Sequence, residues 1–305
     1  MKRFFIKLSV YVGYIFIFWT CILLFNLCSG FSKLYSEKKV VILGDSHAKT
    51  AINPKAISKN AINYSQFTEP FMFTYFKLKK IHNDIGLDTV MLSLGPHSFS
   101  SINDRKFTDA RWSTTMFSRG YRLLILEELD MLVDKKSLYR TWFKKMVLWP
   151  NHDQTEYLGT YTPKNPENSP RLSKSDIDKS IKKHYYYDSE ALVVSNLQLA
   201  YFKKITTFCS REGINLVIVA PPVHIDYLTL VPEPFIVTYD SIINSYKDSI
   251  LVLDMLRLSV PDSFFQDGDH VNELGANLVG DSIQKILVKK PTNISADGVC
   301  CGDNC

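Results

Sequence analysis

The chain has 305 residues, 46% hydrophobic and 22% charged, which suits one large folded domain or two small ones. These values exclude disorder throughout, a collagen-like fibre and a disulfide-dense miniprotein. The net charge of +5 lies at the start, where Lys2, Arg3, Lys7, Lys33, Lys38 and Lys39 outweigh Glu37. The rest carries 30 charges of each sign, so nucleic-acid binding by charge is not expected.

Residues 1–36 read as a membrane anchor. Leu8 to Leu27 is LSVYVGYIFIFWTCILLFNL, without a charge or a proline. About 20 apolar residues cross a bilayer as a helix. Lys2, Arg3 and Lys7 favour a cytoplasmic amino end, although Lys33, Lys38 and Lys39 on the far side weaken that orientation. No second span follows, so the body is expected on the outer face of the membrane. The competing reading is a cleaved signal peptide. A signal core is usually shorter and ends in small residues, whereas this one is long, bulky and aromatic. Cys28 follows Phe25-Asn26-Leu27, which are not the small residues of a lipoprotein site.

Strands then alternate with helices. Lys39–Leu43, Asp88–Leu94, Asn215–Ala220 and Ser249–Leu253 are short runs rich in Val, Ile and Leu, each ending in a turn residue. Ala61–Tyr64 reads as one more. Such continuous apolar runs suit strands buried on both faces of a parallel sheet. Helices are predicted over Phe71–Asn83, Ser189–Glu212 and Leu274–Val288. The pattern predicts a three-layer α/β sandwich over residues 37–290, with ligands at the carboxyl ends of the strands.

Residues 98–188 interrupt the alternation and read as an insertion. Gly120–Val147 has helical spacing, with Leu123, Leu126, Leu129 and Leu132. Leu148–Asp188 is polar and contains four prolines, and a loop that long is functional or mobile. Its tyrosines, including Tyr157, Tyr161 and Tyr185 to Tyr187, suit either a sugar or acyl site or ordinary packing. Residues 291–305 form a tail in which Cys300, Cys301 and Cys305 crowd together. A local disulfide is the default there, and the spacing does not suit zinc. Cys209 reads as a buried free thiol.

The residues after the strands carry the chemistry. Gly44-Asp45-Ser46-His47 puts a serine on a tight turn after the first strand. Gln266 to Ala276, QDGDHVNELGA, puts a histidine beside a helix start with a carboxylate three residues earlier. A serine hydroxyl is a poor nucleophile at neutral pH and needs such an oriented base. Each block has a plainer reading as polar turn chemistry, with Asp267 or Asp269 making an Asx-turn.

Together, GDSH after the first strand and DGDHVNELGA before the last helix resemble the SGNH (GDSL-like) hydrolase superfamily. The resemblance covers roughly residues 39–290. It implies a flavodoxin-like central parallel sheet, with Ser46 as nucleophile, His270 as base and Asp267 as orienting acid. The middle blocks depart from the pattern. The usual glycine after the second strand is missing from Asn63-Tyr64-Ser65-Gln66. The usual Gly-x-Asn-Asp is Gly95-Pro96-His97-Ser98, so His97 replaces the oxyanion asparagine. Ser65, His97, Asp45 and His47 are therefore the expected oxyanion or substrate-binding residues. The anchor, the degenerate third block and the ending resemble a branch that includes DltD and the SGNH-type alginate O-acetyltransferases. That branch implies an acyl donor, a polysaccharide or glycan acceptor and a membrane-bound O-acyltransferase partner. The expected function is a membrane-anchored serine acyltransferase or esterase outside the cytoplasm of a bacterium. The alternatives are a non-catalytic scaffold binding an envelope polymer or partner, and a plain extracytoplasmic esterase. No HExxH, GxGxxG or GxxxxGK[ST] occurs, so no metal, nucleotide or other cofactor is expected. His82, His152, His184 and His224 lack a spaced partner set. Asn63 and Asn293 match the glycosylation sequon, a match common by chance.

Overall fold

The five apolar runs become one parallel sheet in the computed structural model, which describes residues 1–28, 37–120, 139–140, 143, 158–168 and 172–289. Its strands are β1 (Val40–Leu43), β2 (Ala61–Asn63), β3 (Thr89–Ser93), β6 (Asn215–Ala220) and β7 (Leu251–Asp254). Between β3 and β6 in the chain, β4 (Tyr186–Tyr187) and β5 (Glu190–Ala191) form a separate antiparallel hairpin. The sheet order is β2-β1-β3-β6-β7, with every neighbouring pair parallel. β1 and β3 are buried along their whole length, as continuous Val/Ile/Leu runs require.

Helices cover both faces of the sheet. α1 (Lys2–Cys28) precedes it. After β1 come α2 (Ser46–Ala51), α3 (Phe71–Ile85), α4 (Ile102–Thr108), α5 (Ala110–Gly120), α6 (Lys174–Tyr185), α7 (Asn196–Arg211), α8 (Ile225–Leu230), α9 (Glu233–Tyr246) and α10 (Glu273–Lys289). On one face, α2 and α10 pack together over Ile42, Met91, Val217 and Val219, with Ala48, Val279 and Ile283 filling the interface. On the other, α3 packs against α7. There Phe71, Phe99 and Phe202 meet edge-to-face or tilted, with ring centroids 5.6–5.8 Å apart. Each such buried ring or aliphatic side chain is worth about 1.5–3 kcal/mol. The strand order reverses between β1 and β3. A doubly wound sheet opens its ligand crevice there, beyond the carboxyl ends of the strands.

The chain divides into two compact units. Residues 37–104 and 158–305 form the sheet unit, and residues 1–36 with 105–157 form the other. In the latter, Lys2–Phe25 is long and apolar enough to cross a membrane, with a mean hydropathy of 2.2. Its serine and threonine hydroxyls are satisfied within the helix: Ser9 Oγ donates to Phe5 O and Thr20 Oγ1 to Phe16 O, as an apolar surrounding would demand.

Several elements differ from the sequence reading. α7 begins at Asn196, because Ser195 caps it by accepting from Gln198 N. Residues 190–191 go instead to the hairpin, entered through Asp188 and Ser189 at positive φ. α6 lies inside the stretch read as a polar loop. Its buried apolar stripe is only Ile177, Ile181 and Tyr185, so its pattern is thin, while Ser173 supplies an N-cap. Neither α8 nor α9 was expected. His224 caps α8, its Nδ1 accepting from Asp226 N, and α9 is preceded by Pro232 and has Pro234 in its first turn. The helix expected over Gly120–Val147 falls mostly outside the described residues. Cys300, Cys301, Cys305, Asn293 and His152 lie wholly outside them.

Candidate active site

Gly44 makes the turn after β1. Its φ is +149°, and a Cβ there would meet Ser93 Cβ at 2.7 Å, so a side chain is excluded. Asp45 follows in an extended conformation and caps α2, its Oδ1 accepting from His47 N at 3.0 Å. Ser46 is then the first residue of α2 and is buried. Its backbone N–H precedes the first intrahelical bond.

The second block arrives from β7 through a tight loop. Phe265 and Val271 bridge, and Gln266 N donates to His270 O at 2.8 Å. Asp267 serves both roles read from the sequence. Its Oδ1 accepts from Asp269 N and His270 N at 3.1 and 2.8 Å, an Asx-turn, and also lies 2.9 Å from His270 Nδ1. The other ring nitrogen, His270 Nε2, is 2.7 Å from Ser46 Oγ. Ser46, His270 and Asp267, separated by more than 200 residues, thus form one hydrogen-bonded chain. In the neutral ring, with Nδ1–H donated to Asp267, the Nε2 lone pair would face the serine proton, the tautomer a general base requires.

The other expected residues occupy different places. Asp45 Oδ2 lies 2.7 Å from His97 Nε2, and Asp45 Oδ1 lies 3.1 Å from His47 Nδ1. His47 stacks between His97 and His270, with ring centroids 3.9 and 4.5 Å away. The structure therefore turns His97 Nε2 to Asp45, and Asp45 itself is a cap and histidine holder. Ser65 is fully buried, and its Oγ has no hydrogen-bond partner. Asn63 reaches across with Nδ2 to Ala48 O and Ile52 O at 2.9 and 2.8 Å and accepts from Ser65 N at 2.9 Å. That burial closes its sequon to modification in the folded chain.

Two further residues join the site. His184, at the end of α6, places Nε2 2.8 Å from Asp269 Oδ2. Asp269 Oδ1 lies 3.5 Å from His270 Nδ1. The sequence signal for Asp269 was its place in D-x-D-H. None existed for His184, which meets Asp269 only through the packing of α6, against which Gly268 is pressed. His224 packs its ring on Phe265, and His82 Nδ1 accepts from Leu87 N.

The charges interact strongly because the cluster is dry. Burial pulls His270 down, but Asp269 and Asp267 outweigh it and hold its pKa at about 10. Burial also disfavours ionisation of Asp45, yet His97 and His47 hold it well below the usual carboxylate range. Asp269 is held low against burial by His270 and His184. His47 is raised, Asp45 overcoming its burial. His184 falls to about 3, because burial exceeds what Asp269 returns, and burial likewise lowers His97. Among the described residues, Asp45, His47 and His97, and separately His47, Asp269 and His270, are close enough to share a metal ion.

No protein-family model and no curated protein sequence matches the chain. Solved structures resemble it in fold at very low identity. A GDSL-like lipase from Bacteroides thetaiotaomicron is 10% identical, with a TM-score of 0.41 over 83% of this chain and 89% of that one. A protein assigned as an acylhydrolase from Bacteroides fragilis is 12% identical, with a TM-score of 0.39 over 86% and 91%. The strand order gives this chain a doubly wound, three-layer α/β fold, with the turn at Gly44 to His47 and the loop from Asp267 to His270 meeting at the carboxyl ends of its strands.

Proposed function

We propose that the chain is a serine-dependent acyl-ester enzyme of the SGNH type, held in a bacterial cytoplasmic membrane by α1 and working on the outer side. The observation that carries the chemistry is the chain Asp267–His270–Ser46, with contacts of 2.9 and 2.7 Å. His270 Nε2 takes the Ser46 proton as Oγ attacks the acyl carbon. The oxyanion is met by the Ser46 N–H and by the unpartnered Ser65 hydroxyl. The C–O bond of the donor ester breaks, and His270 returns its proton to the leaving alkoxide. In the second half His270 deprotonates a glycan hydroxyl or water, which takes the acyl group and frees Ser46. The envelope polysaccharide acceptor, the acetyl donor and a membrane-bound O-acyltransferase partner are drawn from the sequence resemblance, and α1 suits such a partnership.

The test is covalent capture. The full-length protein in detergent is treated with a fluorophosphonate probe, and the adduct is mapped by peptide mass spectrometry. Labelling at Ser46 that is lost in His270→Ala is expected. A folded protein with no labelled serine would refute the catalytic reading. It would favour a non-catalytic scaffold, for which the turning of His97 Nε2 to Asp45 is the one structural argument.

A further inference from the structure

Behind the triad, two buried polar atoms lack hydrogen bonds. They are His47 Nε2 and Asp269 Oδ1, in side chains 3% and 1% exposed. Such atoms are rare in folded proteins and ask for an explanation. His47 Nδ1 lies 3.1 Å from Asp45 Oδ1. A ring proton donated there leaves Nε2 as a lone pair. That lone pair faces Asp269 Oδ2 at 3.4 Å, without the geometry of a hydrogen bond. A lone pair set against a carboxylate repels it unless a positive charge lies between them.

We propose that His47 Nε2, the Asp269 carboxylate and His270 Nδ1 form a binding site for a divalent transition-metal ion, zinc by preference, and that occupancy switches the triad off. The three groups offer ligand atoms within 4.8 Å of one another. The two contacts run to different oxygens of Asp269, 3.4 Å from His47 Nε2 to Oδ2 and 3.5 Å from His270 Nδ1 to Oδ1, so the carboxylate would hold the ion through both. Zinc bonds of about 2.0–2.1 Å in tetrahedral array separate ligand atoms by roughly 3.3–3.4 Å. A direct hydrogen bond in the same cluster, His184 to Asp269, is 2.8 Å. The outer contacts also suit a metal. Asp45 orients His47 from its other nitrogen, and His184 holds the Asp269 carboxylate. Imidazole with one carboxylate favours zinc over calcium or magnesium. The other candidate group, Asp45 with His47 and His97, is less suited, because its carboxylate oxygens and the facing ring nitrogens are already paired with one another, whereas His47 Nε2 and Asp269 Oδ1 are not.

Asp267, whose side chain is 36% exposed, is the partner the metal would displace from Nδ1. Once Nδ1 binds the ion, the single ring proton of His270 must sit on Nε2, facing Ser46. No lone pair remains to take the serine proton. Fixing the wrong histidine tautomer costs a serine triad about 10⁴-fold in rate. His47 can fill the same gap with a proton, so uptake of the ion releases acid.

The experiment compares full-length wild type, His47→Gln and Asp269→Asn in detergent, each first stripped with EDTA. Bound zinc is counted after dialysis, and cobalt replaces it for absorption spectra. Wild type is expected to hold one equivalent more than either variant. The extra cobalt should show tetrahedral bands without thiolate charge transfer, which separates it from the tail cysteines. Zinc is expected to slow fluorophosphonate labelling of Ser46 at least tenfold in wild type, reversibly with EDTA, and to leave the variants' own rates unchanged. Equal metal content in all three proteins would overturn the proposal, as would equal zinc sensitivity. His47→Gln keeps the test decisive if Asp269→Asn does not fold. Wild type that never labels, even in EDTA, would refute the catalytic reading, while the metal count would still decide the site.

Discussion

Two dry polar clusters sit near the carboxyl end of this sheet, and they are built to different standards. In one, Lys77 Nζ donates to Tyr64 O, to Leu158 O and to Glu69, which also accepts from Thr74 Oγ1. Both charged side chains are at most 1% exposed, and their polar atoms are supplied with partners. The knot ties the segment after β2, through Tyr64, to the returning chain at Leu158. In the other, around Ser46 and His270, two atoms are left without partners, His47 Nε2 and Asp269 Oδ1, and the buried Ser65 Oγ is also without one. A satisfied buried network rigidifies a fold, whereas an unsatisfied one costs stability and persists where something else uses it. The first cluster is thus read as structure and the second as chemistry.

The largest effect expected from this contrast falls on turnover. Ser46→Ala and His270→Ala should each lower ester turnover by roughly 10⁴-fold or more, with the double variant little worse than either single one, because the members act as a unit. Thermal unfolding of all three should stay close to wild type. If the losses instead multiply, the two residues do not share one proton path.

Breaking the other cluster should show the reverse pattern. Lys77→Met leaves Glu69 buried without its cation, and removing one partner of such a pair costs about 3–5 kcal/mol. Glu69→Gln added to Lys77→Met should recover part of that loss in chemical denaturation. A Lys77→Met protein as stable as wild type would erase the distinction between the clusters. The pair lies out of reach of sequence reasoning, since Lys77 sits on α3 among ordinary surface lysines in the sequence.

That case marks where the sequence was legible. Val40–Leu43 and Asn215–Ala220 read as strands because burial on both faces leaves a continuous apolar run. Ser46, Asp267 and His270 were visible because a strand-end turn and a helix-start loop confine chemistry to short blocks, and the structure brings the three together. His184 was not legible, because its meaning depends on α6, whose three-residue apolar stripe is hidden in a polar segment. His97 was read from its place in a block. Its actual partner is set by Asp45, 52 residues away.

Ser65 tests the contrast more finely. Its hydroxyl has no partner to lose, so Ser65→Ala should leave stability unchanged or slightly raised. If the hydroxyl meets the oxyanion, kcat should still fall about 10²-fold, or roughly 2.7 kcal/mol, as when one such donor is removed elsewhere. Unchanged kcat would return the oxyanion to backbone groups alone. Lower stability would mean that Ser65 belongs with the structural cluster.

Asn63 lies beside Ser65 in sequence and should behave in the opposite way. All its hydrogen bonds are to the main chain, at Ala48, Ile52 and Ser65. They fix α2, and therefore Ser46, against the segment after β2. Asn63→Ala would strand the Ile52 carbonyl and the Ser65 N–H in a dry interior, while Ala48 O keeps its bond from Ile52 N, at about 1–3 kcal/mol. The denaturation midpoint should fall accordingly, while the labelling rate of the folded fraction changes less than in Ser65→Ala. Two buried polar residues two positions apart would then divide between holding the nucleophile in place and serving the reaction.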